Sequence, residues 1–447
     1  MAERVLEAPT VDQQALDEVV TFTSELIRID TTNRGGGDCQ ERPAAEYAAA
    51  KLAEAGLEPT ILERTPGRGN VVARIAGTDP GADALLVHGH LDVVPAEAAD
   101  WSVDPFSGEV RDGVVWGRGA VDMKNMDAMI LATVRQWARL GFRPRRDIVI
   151  AFTADEEASA EDGSGFLADR HADLFEGCTE GISESGAFTF HDGSGKQIYP
   201  IAAGERGTGW LKLTARGKAG HGSKVNKANA VSRLAAAVAR IGEHQWPVRL
   251  TPTVRAALTE LAALYGIETD VSAPDFDVDA LLAALGPAAA LVEPTVRNSS
   301  NPTMLSAGYK INVIPGEAVA HVDGRYLPGA EDEFRSTLDR LTGPDVDWEF
   351  QHREVALQAP VDSPTFRNMR AAVEEFAPEG HVVPYCMSGG TDAKQFSRLG
   401  ITGYGFAPLK LPEGFDYQAL FHGVDERVPV EALHFGVRVL DRFLRTA

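Results

Sequence analysis

Two runs, Ala84-Leu85-Leu86-Val87 and Ile148-Val149-Ile150-Ala151-Phe152, are apolar at every position. A strand built from either has no face to offer water and must be buried on both sides, as in sheets covered by helices. The intervening sequence supplies such helices. Leu16, Val19, Val20, Thr23, Leu26 and Ile27 fall on one face of a first helix. A second, rich in Ala and Leu, follows Pro43 and stops at Gly56; a third runs from about Met123 to Leu140 and ends at Gly141. Further strand-like segments lie at 70–76 and 111–116 and just before Glu184. This alternation predicts an α/β fold with a largely parallel sheet flanked by helices.

The polar residues of this half gather where such a sheet is reactive. His90 and Asp92 follow one strand, Glu156 and Glu157 a second, and Glu184 a third. In open α/β sheets ligands collect beyond the carboxyl ends of the strands. With Asp122 and, far down the chain, His422, they make two imidazoles and several carboxylates with no thiolate. That is the donor set of a divalent pair such as zinc. A carboxylate next in sequence to a ligand is what a general base for activated water requires. The sequence alone does not say which of Glu156 and Glu157 is the base. Taken singly, each feature also has an ordinary reading: a hydrogen-bonded His–acid pair, a solvated Glu-Glu, and at Ser388-Gly-Gly-Thr-Asp392 a turn with an Asp helix cap.

At 447 residues the chain exceeds what one core usually serves. The pattern changes after about residue 198: segments 199–216 and 304–327 alternate, 226–241 reads as an amphipathic helix, and another helix follows Tyr326-Leu-Pro-Gly329 near 331–341. We expect a catalytic domain in two parts, 1–198 and 353–447, around an inserted two-layer α+β domain at 199–352. A helical insertion at about 243–300 reads as a surface helical hairpin or as a lid over an apolar pocket. From 353 the α/β pattern resumes, with helices near 364–376 and 430–446 and a strand at 401–406. The net charge of −22, from 43 basic and 65 acidic residues, argues against nucleic acid or an anionic membrane as partner. No apolar run approaches the ~20 residues of a membrane span. Three cysteines, Cys39, Cys178 and Cys386, fit a reducing compartment better than a disulfide framework. The start, Met-Ala-Glu-Arg-Val, lacks the basic and apolar regions of a signal peptide. The expected location is cytoplasmic, with a disordered tail no longer than the first ten residues or so.

The ordered motifs His90-Leu-Asp-Val-Val-Pro, Gly117-Arg-Gly-Ala-Val-Asp-Met-Lys, Asp155-Glu-Glu, Ser183-Glu-Ser-Gly, Ala219-Gly-His-Gly-Ser, Asn312-Val-Ile-Pro-Gly, Ser388-Gly-Gly-Thr-Asp and Phe421-His-Gly make the chain resemble a known family. It is the co-catalytic zinc metallopeptidases that include aminoacylase, acetylornithine deacetylase, succinyl-diaminopimelate desuccinylase and glutamate carboxypeptidase. The last motifs and the helical insertion are most similar to the N-acyl amino acid hydrolase and vacuolar carboxypeptidase branch. The resemblance implies two divalent ions per chain, Zn²⁺ first and Co²⁺ or Mn²⁺ as alternatives. His90 and Glu157 would hold one, Glu184 and His422 the other, with Asp122 bridging and the Asp122–Met123 bond cis. Asp92 would fix the far nitrogen of His90, and Glu156 would be the general base for a metal-bridged hydroxide. His221 would stabilise the tetrahedral intermediate, often from a partner subunit. Arg325, Asn312, Gly389, Gly390 and Thr391 would hold a small-molecule substrate with a free carboxylate. Gly222 departs from the Ala of many relatives, which touches only local packing. His88 and Cys386 read as packed structural residues. The implied enzyme is a dinuclear zinc amidohydrolase acting on N-acyl amino acids or small peptides, a homodimer through the inserted domain. The alternatives are a dipeptidase or carboxypeptidase on the same site and a catalytically inactive binding protein.

Overall fold

Strands Ala84–His90 and Ile148–Thr153 lie side by side in parallel, with Leu85 opposite Ile148 and His90 opposite Thr153. Every residue of both is buried, as their unbroken apolar character requires. The structure, a computed structural model, describes residues 11–35 and 39–447. The expectations about the first ten residues fall outside the described residues.

The chain divides into two compact units. The first comprises residues up to Ala202, Ala359–Pro384 and Thr391–Ala447; the second comprises Ala203–Gln358 and Tyr385–Gly390. Residues 385–390, placed in the catalytic part from sequence, thus cluster with the second unit.

In the first unit the sheet order is Thr60–Leu62, Asn70–Ile75, Ile148–Thr153, Ala84–His90, Cys178–Ser183, Thr402–Gly405 and then the strand beginning at Gln197. The four middle strands run parallel. Asn70–Ile75 and Thr60–Leu62 on one side, and Ala202 against Gly405 on the other, pair antiparallel. The sheet is therefore mixed with a parallel centre. One face, with Val72, Leu86, Val149 and Ala151, packs with Leu167, Phe175 and Phe396. Helices Gln13–Ile27, Lys124–Leu140, Pro364–Phe376 and Val430–Thr446 pack on one another. The first is capped by the Asp12 carboxylate, which accepts from the Ala15 amide at 2.7 Å. Lys124–Leu140 ends at Gly141 in the left-handed region, as its sequence requires.

One expected strand is two. The segment 111–116 is a hairpin of Glu109–Arg111 and Val114–Trp116, turning at Asp112-Gly113, both with positive φ. An Asp-Gly pair of this kind closes a two-residue turn. This hairpin pairs with Arg427–Pro429 in a small separate sheet.

The second unit is a two-layer α+β body. Its four antiparallel strands run in the order Ser299–Ala307, Glu317–Tyr326, Gly207–Arg216 and Val346–Glu354. Alternating inward residues, Leu211, Leu213, Ala318, Ala320 and Val322, pack on Leu234, Ala237, Ile241, Phe334 and Leu338 of helices Ala230–Glu243 and Glu331–Thr342. The helical insertion forms Pro252–Leu264 and Val278–Leu285, N-capped by Thr251 and Asp277 and packed on each other. Among the described residues, no helix is long and apolar enough to cross a membrane.

Phe334 centres this second core, with no exposed surface and its ring stacked 5.0 Å from Trp246. Phe334→Ala should therefore destabilise the second unit by about 3–5 kcal/mol, the usual cost of such a cavity. Denaturant unfolding followed by tryptophan fluorescence measures it. A loss under about 1 kcal/mol would show that the site collapses freely.

Candidate metal centre

His90 is the last residue of its strand and is almost fully buried. Its Nδ1 donates to the backbone carbonyl of Asp92 at 2.9 Å, and the Asp92 carboxylate lies 3.6 Å away. A carbonyl can only accept, so in the neutral ring the proton sits on Nδ1 and Nε2 carries the lone pair. Nε2 points at carboxylates: Asp122 Oδ1 at 3.2 Å, Glu184 Oε1 at 3.9 Å and Glu156 Oε2 at 4.0 Å. Burial alone would depress this imidazole, yet Asp122, Asp92, Glu156 and Glu184 hold its pKa well above the usual histidine range.

Asp92 supports the neighbouring turn as well. Its Oδ1 accepts the Glu156 amide and its Oδ2 the Glu157 amide, both at 3.1 Å, and Asn33 Nδ2 donates to Oδ2 at 2.9 Å. Despite complete burial its pKa is lowered, by His90 and these donors. Asp155 begins the Glu-Glu turn with φ 65°. Its carboxylate is fastened by Arg68 at 2.9 Å, Asn33 at 3.2 Å, Ser159 at 2.7 Å and the Asp162 amide at 3.2 Å. Arg68 forks onto buried Glu41 with two contacts of 2.7 Å.

Four carboxylates with two imidazoles are crowded here. His90, Glu156 and Glu184 offer ligand atoms within 4.8 Å of one another, and so do His90, Asp122 and Glu157. His422 Nε2 lies 3.1 Å from Glu157 and 3.3 Å from Asp122. Burial and mutual repulsion push Glu156, Glu157 and Glu184 above the usual carboxylate range. Asp122 is lowered instead, because His422 and His90 outweigh its burial, and the same pairing with Asp122 and Glu157 lifts His422 to about 10. Glu157 Oε1 is buried with no hydrogen-bond partner. Such an orphaned oxygen among crowded buried acids is what a cation would satisfy. The residues therefore fit a pair of divalent ions, with Asp122 presenting one oxygen toward His90 and the other toward His422. The Asp122–Met123 bond is cis, as the family pattern implies.

The resemblance pairs His90 with Glu157 and Glu184 with His422; the structure brings His90 near Glu157 as well as near Glu184, and places His422 against Glu157. The strand ending at His90 lies between, and parallel to, those ending at Ser183 and Thr153, so Glu184 and the Glu156-Glu157 turn both emerge beside it. His422 arrives on a loop fixed beside Asp122, on the side of Glu157.

That fixing depends on a residue the sequence reading missed. Glu426, fully buried, accepts from Arg118 at 2.7 Å and from the amides of Gly119, Val121 and Asp122 at 3.0, 2.7 and 3.1 Å. Arg118 also donates to the Gly423 carbonyl at 3.0 Å. The pair thus ties the Asp122 loop to the His422 loop. The available signal was Arg118 inside one motif and an acid three residues beyond another, neither assigned a ligand role. Gly423 is dictated by space, because a Cβ there would lie 2.3 Å from the Ala419 carbonyl oxygen. Asp392, which could have been a helix cap, instead accepts from Thr153 at 2.5 Å and from Ser164. His88 is buried against Phe396 and pushed down to about 3 by burial, and burial pushes the Cys386 thiol up to about 12. Both fit structural roles.

The second unit carries the remaining candidates. His221 and Asn312 are brought together where Gly220–His221 pairs with Val313–Ile314. The Ser223 amide donates to His221 Nδ1 at 3.2 Å, so in the neutral ring the proton is on Nε2, a donor. Gly222 donates to the Asn312 carbonyl at 2.9 Å, and a Cβ there would come within 3.2 Å of Asn312 backbone. That is tight packing, relieved by glycine. Arg325 is already engaged in this structure: its Nε and one terminal nitrogen fork onto Asp323 at 2.7 and 3.1 Å, and the other reaches Thr208 at 3.0 Å. Arg206, unremarked in the sequence, is buried beside it, with an Nε that has no hydrogen-bond partner among the described residues. Burial and the Arg325 charge lower it to about 10. Gly389 is exposed; it and Gly390 belong to the second unit, Thr391 to the first.

Comparison with known proteins identifies the family. The model of peptidase family M20/M25/M40 matches residues 86–446. The chain is 30% identical over 389 residues to human N-fatty-acyl-amino acid synthase/hydrolase PM20D1, covering 83% of this chain and 76% of the relative. It is 26% identical to aminoacylase-1 of Sus scrofa, covering 95% and 94%. Among solved structures, the M20 family metallo-carboxypeptidase Sso-CP2 of Sulfolobus solfataricus superposes with a TM-score of 0.70 at 17% identity, covering 96% and 99%. The chain belongs to peptidase family M20/M25/M40.

Replacing Glu426 tests the geometry described here. Glu426→Gln turns one acceptor oxygen into a donor facing backbone amides, and should weaken metal affinity by ~10–100-fold, as loss of a residue supporting a ligand does. Titration of metal-free protein, with circular dichroism to verify folding, reads the change. A folded variant with unaltered affinity would mean that Asp122 holds its place without Glu426.

Proposed function

We propose that this enzyme hydrolyses the amide bond of N-acyl amino acids or small peptides and releases an amino acid with a free carboxylate. The observation that carries the reading is the buried cluster of Asp122, Glu156, Glu157 and Glu184 with His90 and His422, completed by one carboxylate beyond those needed as ligands. His90, Asp122 and Glu184 would hold one divalent ion and Asp122, Glu157 and His422 the other. Zinc is the first choice for such nitrogen and oxygen donors, with cobalt or manganese as alternatives. When bound, such ions lower the pKa of water and polarise a carbonyl.

The protein's own groups supply the rest. Glu156 would take a proton from water as it attacks the scissile carbonyl and pass it to the departing amine. Asp92 would orient Glu156 and Glu157 through their amides and keep the His90 proton on Nδ1. His221 Nε2–H would donate to the oxyanion as charge develops. Asn312 would bind the reacting amide. Arg325, with Gly389, Gly390 and Thr391, would receive the substrate carboxylate, which would replace Asp323 in the guanidinium fork. Buried Arg206 supports the same end, since its unpartnered Nε lies in a region of positive charge. A dipeptidase or carboxypeptidase would use the same residues and differ only on the acyl side. The intact base and donor set count against an inactive binding protein.

The domain assignment follows: a catalytic part bearing every metal ligand and Glu156, and an inserted lid and dimerisation part bearing His221. Pairing of two inserted domains is supported by the edge strand Ser299–Ala307, where Met304 and Leu305 are 64% and 62% exposed, and by exposed Tyr309 and Ile311 nearby. A cytoplasmic location is supported by three cysteines that are free and buried.

Glu156→Gln should keep the metal content and lower kcat by ~10²-fold or more. Metal analysis with an amine-release assay measures both, and a variant that loses metal but turns over would make Glu157 the base. Light scattering tests the pairing: the wild-type chain should run as a dimer and Met304→Glu/Leu305→Glu as a monomer. A monomeric wild type would remove the dimer.

A further inference from the structure

A cavity of about 300 Å³ opens in the first unit, walled by Phe188, Phe190, Phe415 and Tyr417 with Thr189 and His191. None of these residues has a role in the site above. Both walls lead directly to metal ligands in the chain. Phe188 follows Glu184 by four residues, and Tyr417 precedes His422 by five, through the turn Gln418–Leu420. The Tyr417 ring lies 4.6 Å from Phe188 and 4.8 Å, edge-on, from Phe421, the residue next to His422. The aromatic wall therefore joins, through Phe421, the loop that bears His422 within one unit.

Its polar groups are already engaged. His191 Nε2 donates to the Leu411 carbonyl at 2.8 Å, and Thr189 Oγ1 accepts the Leu411 amide at 3.0 Å and donates to the Leu409 carbonyl at 3.1 Å. These bonds, with the Phe188–Leu409 bridge, make one wall rigid. The acid in the other wall, Asp416, is exposed, and its Oδ1 accepts the Ala419 amide at 3.1 Å. No buried carboxylate is therefore presented to a substrate ammonium group. A dipeptide's free α-ammonium would lose water here with only the exposed, solvent-screened Asp416 as an anionic partner, against a desolvation cost of several kcal/mol. An alkyl or aryl group would gain about 25 cal/mol for each Å² of apolar surface removed from water. The volume lies at the lower end of the range for ligand pockets, which suits part of a substrate rather than the whole.

We propose that the cavity lined by Phe188, Phe190, Phe415 and Tyr417 is the acyl subsite, and that it selects an apolar acyl group over a free aminoacyl group. This rests on the amide-hydrolase reading above and settles the question left open there, which is the acyl side.

Two measurements test it. The first compares kcat/KM of the metal-loaded enzyme for N-acetyl, N-octanoyl and N-(3-phenylpropanoyl) derivatives of one amino acid, and for a dipeptide ending in that amino acid. The octanoyl and phenylpropanoyl substrates should exceed the acetyl and dipeptide substrates by ~10-fold or more, the discrimination that an apolar pocket supplies. Whichever of the two leads shows whether alkyl or aryl chains fit better. Phe190 and Phe415 are half-buried, so Phe190→Ala and Phe415→Ala should fold. Each should lower kcat/KM for octanoyl substrate at least ~10-fold more than for acetyl substrate. The second measurement titrates octanoate into metal-free wild type and both variants by calorimetry; wild type should bind and the variants at least ~10-fold more weakly. Equal losses on acetyl and octanoyl substrates, preference for the dipeptide, or octanoate binding unchanged by both substitutions would each overturn the subsite. Absence of amide hydrolysis, together with octanoate binding that the substitutions weaken, would overturn the hydrolase reading and leave the apolar pocket supported.

Discussion

Asp92 is the constraint on which the site depends. One buried carboxylate receives the amides of both Glu156 and Glu157, while the backbone of the same residue takes the Nδ1 proton of His90. Three groups with separate tasks are thereby referred to a single point. The charge is satisfied by amides, Asn33 and an imidazole, so it stays ionised at zero exposure. Asn33 bridges onward to Asp155, and Arg68 joins Asp155 to Glu41. Removing one partner from such a buried network typically costs about 3–5 kcal/mol, because the others are left unpaired in low dielectric. The Glu-Glu turn is thus held from behind by charges that never touch substrate.

Much of this was legible in the sequence for a simple reason. Apolar strands buried on both faces force a parallel sheet, and a parallel sheet puts its reactive residues at one set of strand ends. His90, Glu156, Glu157 and Glu184 were placed by that logic alone. What escaped depends on which strands are neighbours and on loops far apart in the chain. Grouping the ligands needs the adjacency of Ala84–His90 with Cys178–Ser183, which periodicity does not encode. Glu426 acts on Asp122 across 304 residues. The aromatic cavity joins residues near 190 to residues near 415. The hairpin at Asp112-Gly113 is different: its turn signature was in the sequence, but three-residue strands were too short to show a period.

The two units divide the chemistry by the kind of precision each task needs. Cation binding needs donors fixed to tenths of an ångström, and all the proposed ones come from the unit with the larger, helix-covered sheet. Grip on substrate would tolerate adjustment, and the groups proposed for it sit in exposed or exchangeable settings. His221 is exposed, with only Ser223 to set its tautomer. Arg325 is satisfied by Asp323, a carboxylate that substrate can imitate. An internal acid of this kind keeps the guanidinium oriented and lowers the desolvation to be overcome on binding, at the expense of direct competition.

Backbone strain follows the same division. Among the described residues, Asp112, Asp155, Ala160, Ser185, Ala187, His422 and Asp425 have positive φ without being glycine. Apart from the hairpin residue Asp112, all flank or are ligand-bearing positions. Asp155 and Ala160 bracket Glu156-Glu157, Ser185 and Ala187 follow Glu184, and His422 and Asp425 form the last ligand loop. Conformations of this kind cost of order 1–3 kcal/mol each and persist only where surroundings over-determine them. The surroundings do so here. The Asp155 carboxylate has three side-chain donors and one backbone amide, and Asp425 accepts from the Ser102 amide at 2.8 Å and the Ser102 hydroxyl at 2.7 Å. The turns that would carry the ligands are held in place by Asp92, Arg68 and Glu426, which lets the carboxylates stay crowded.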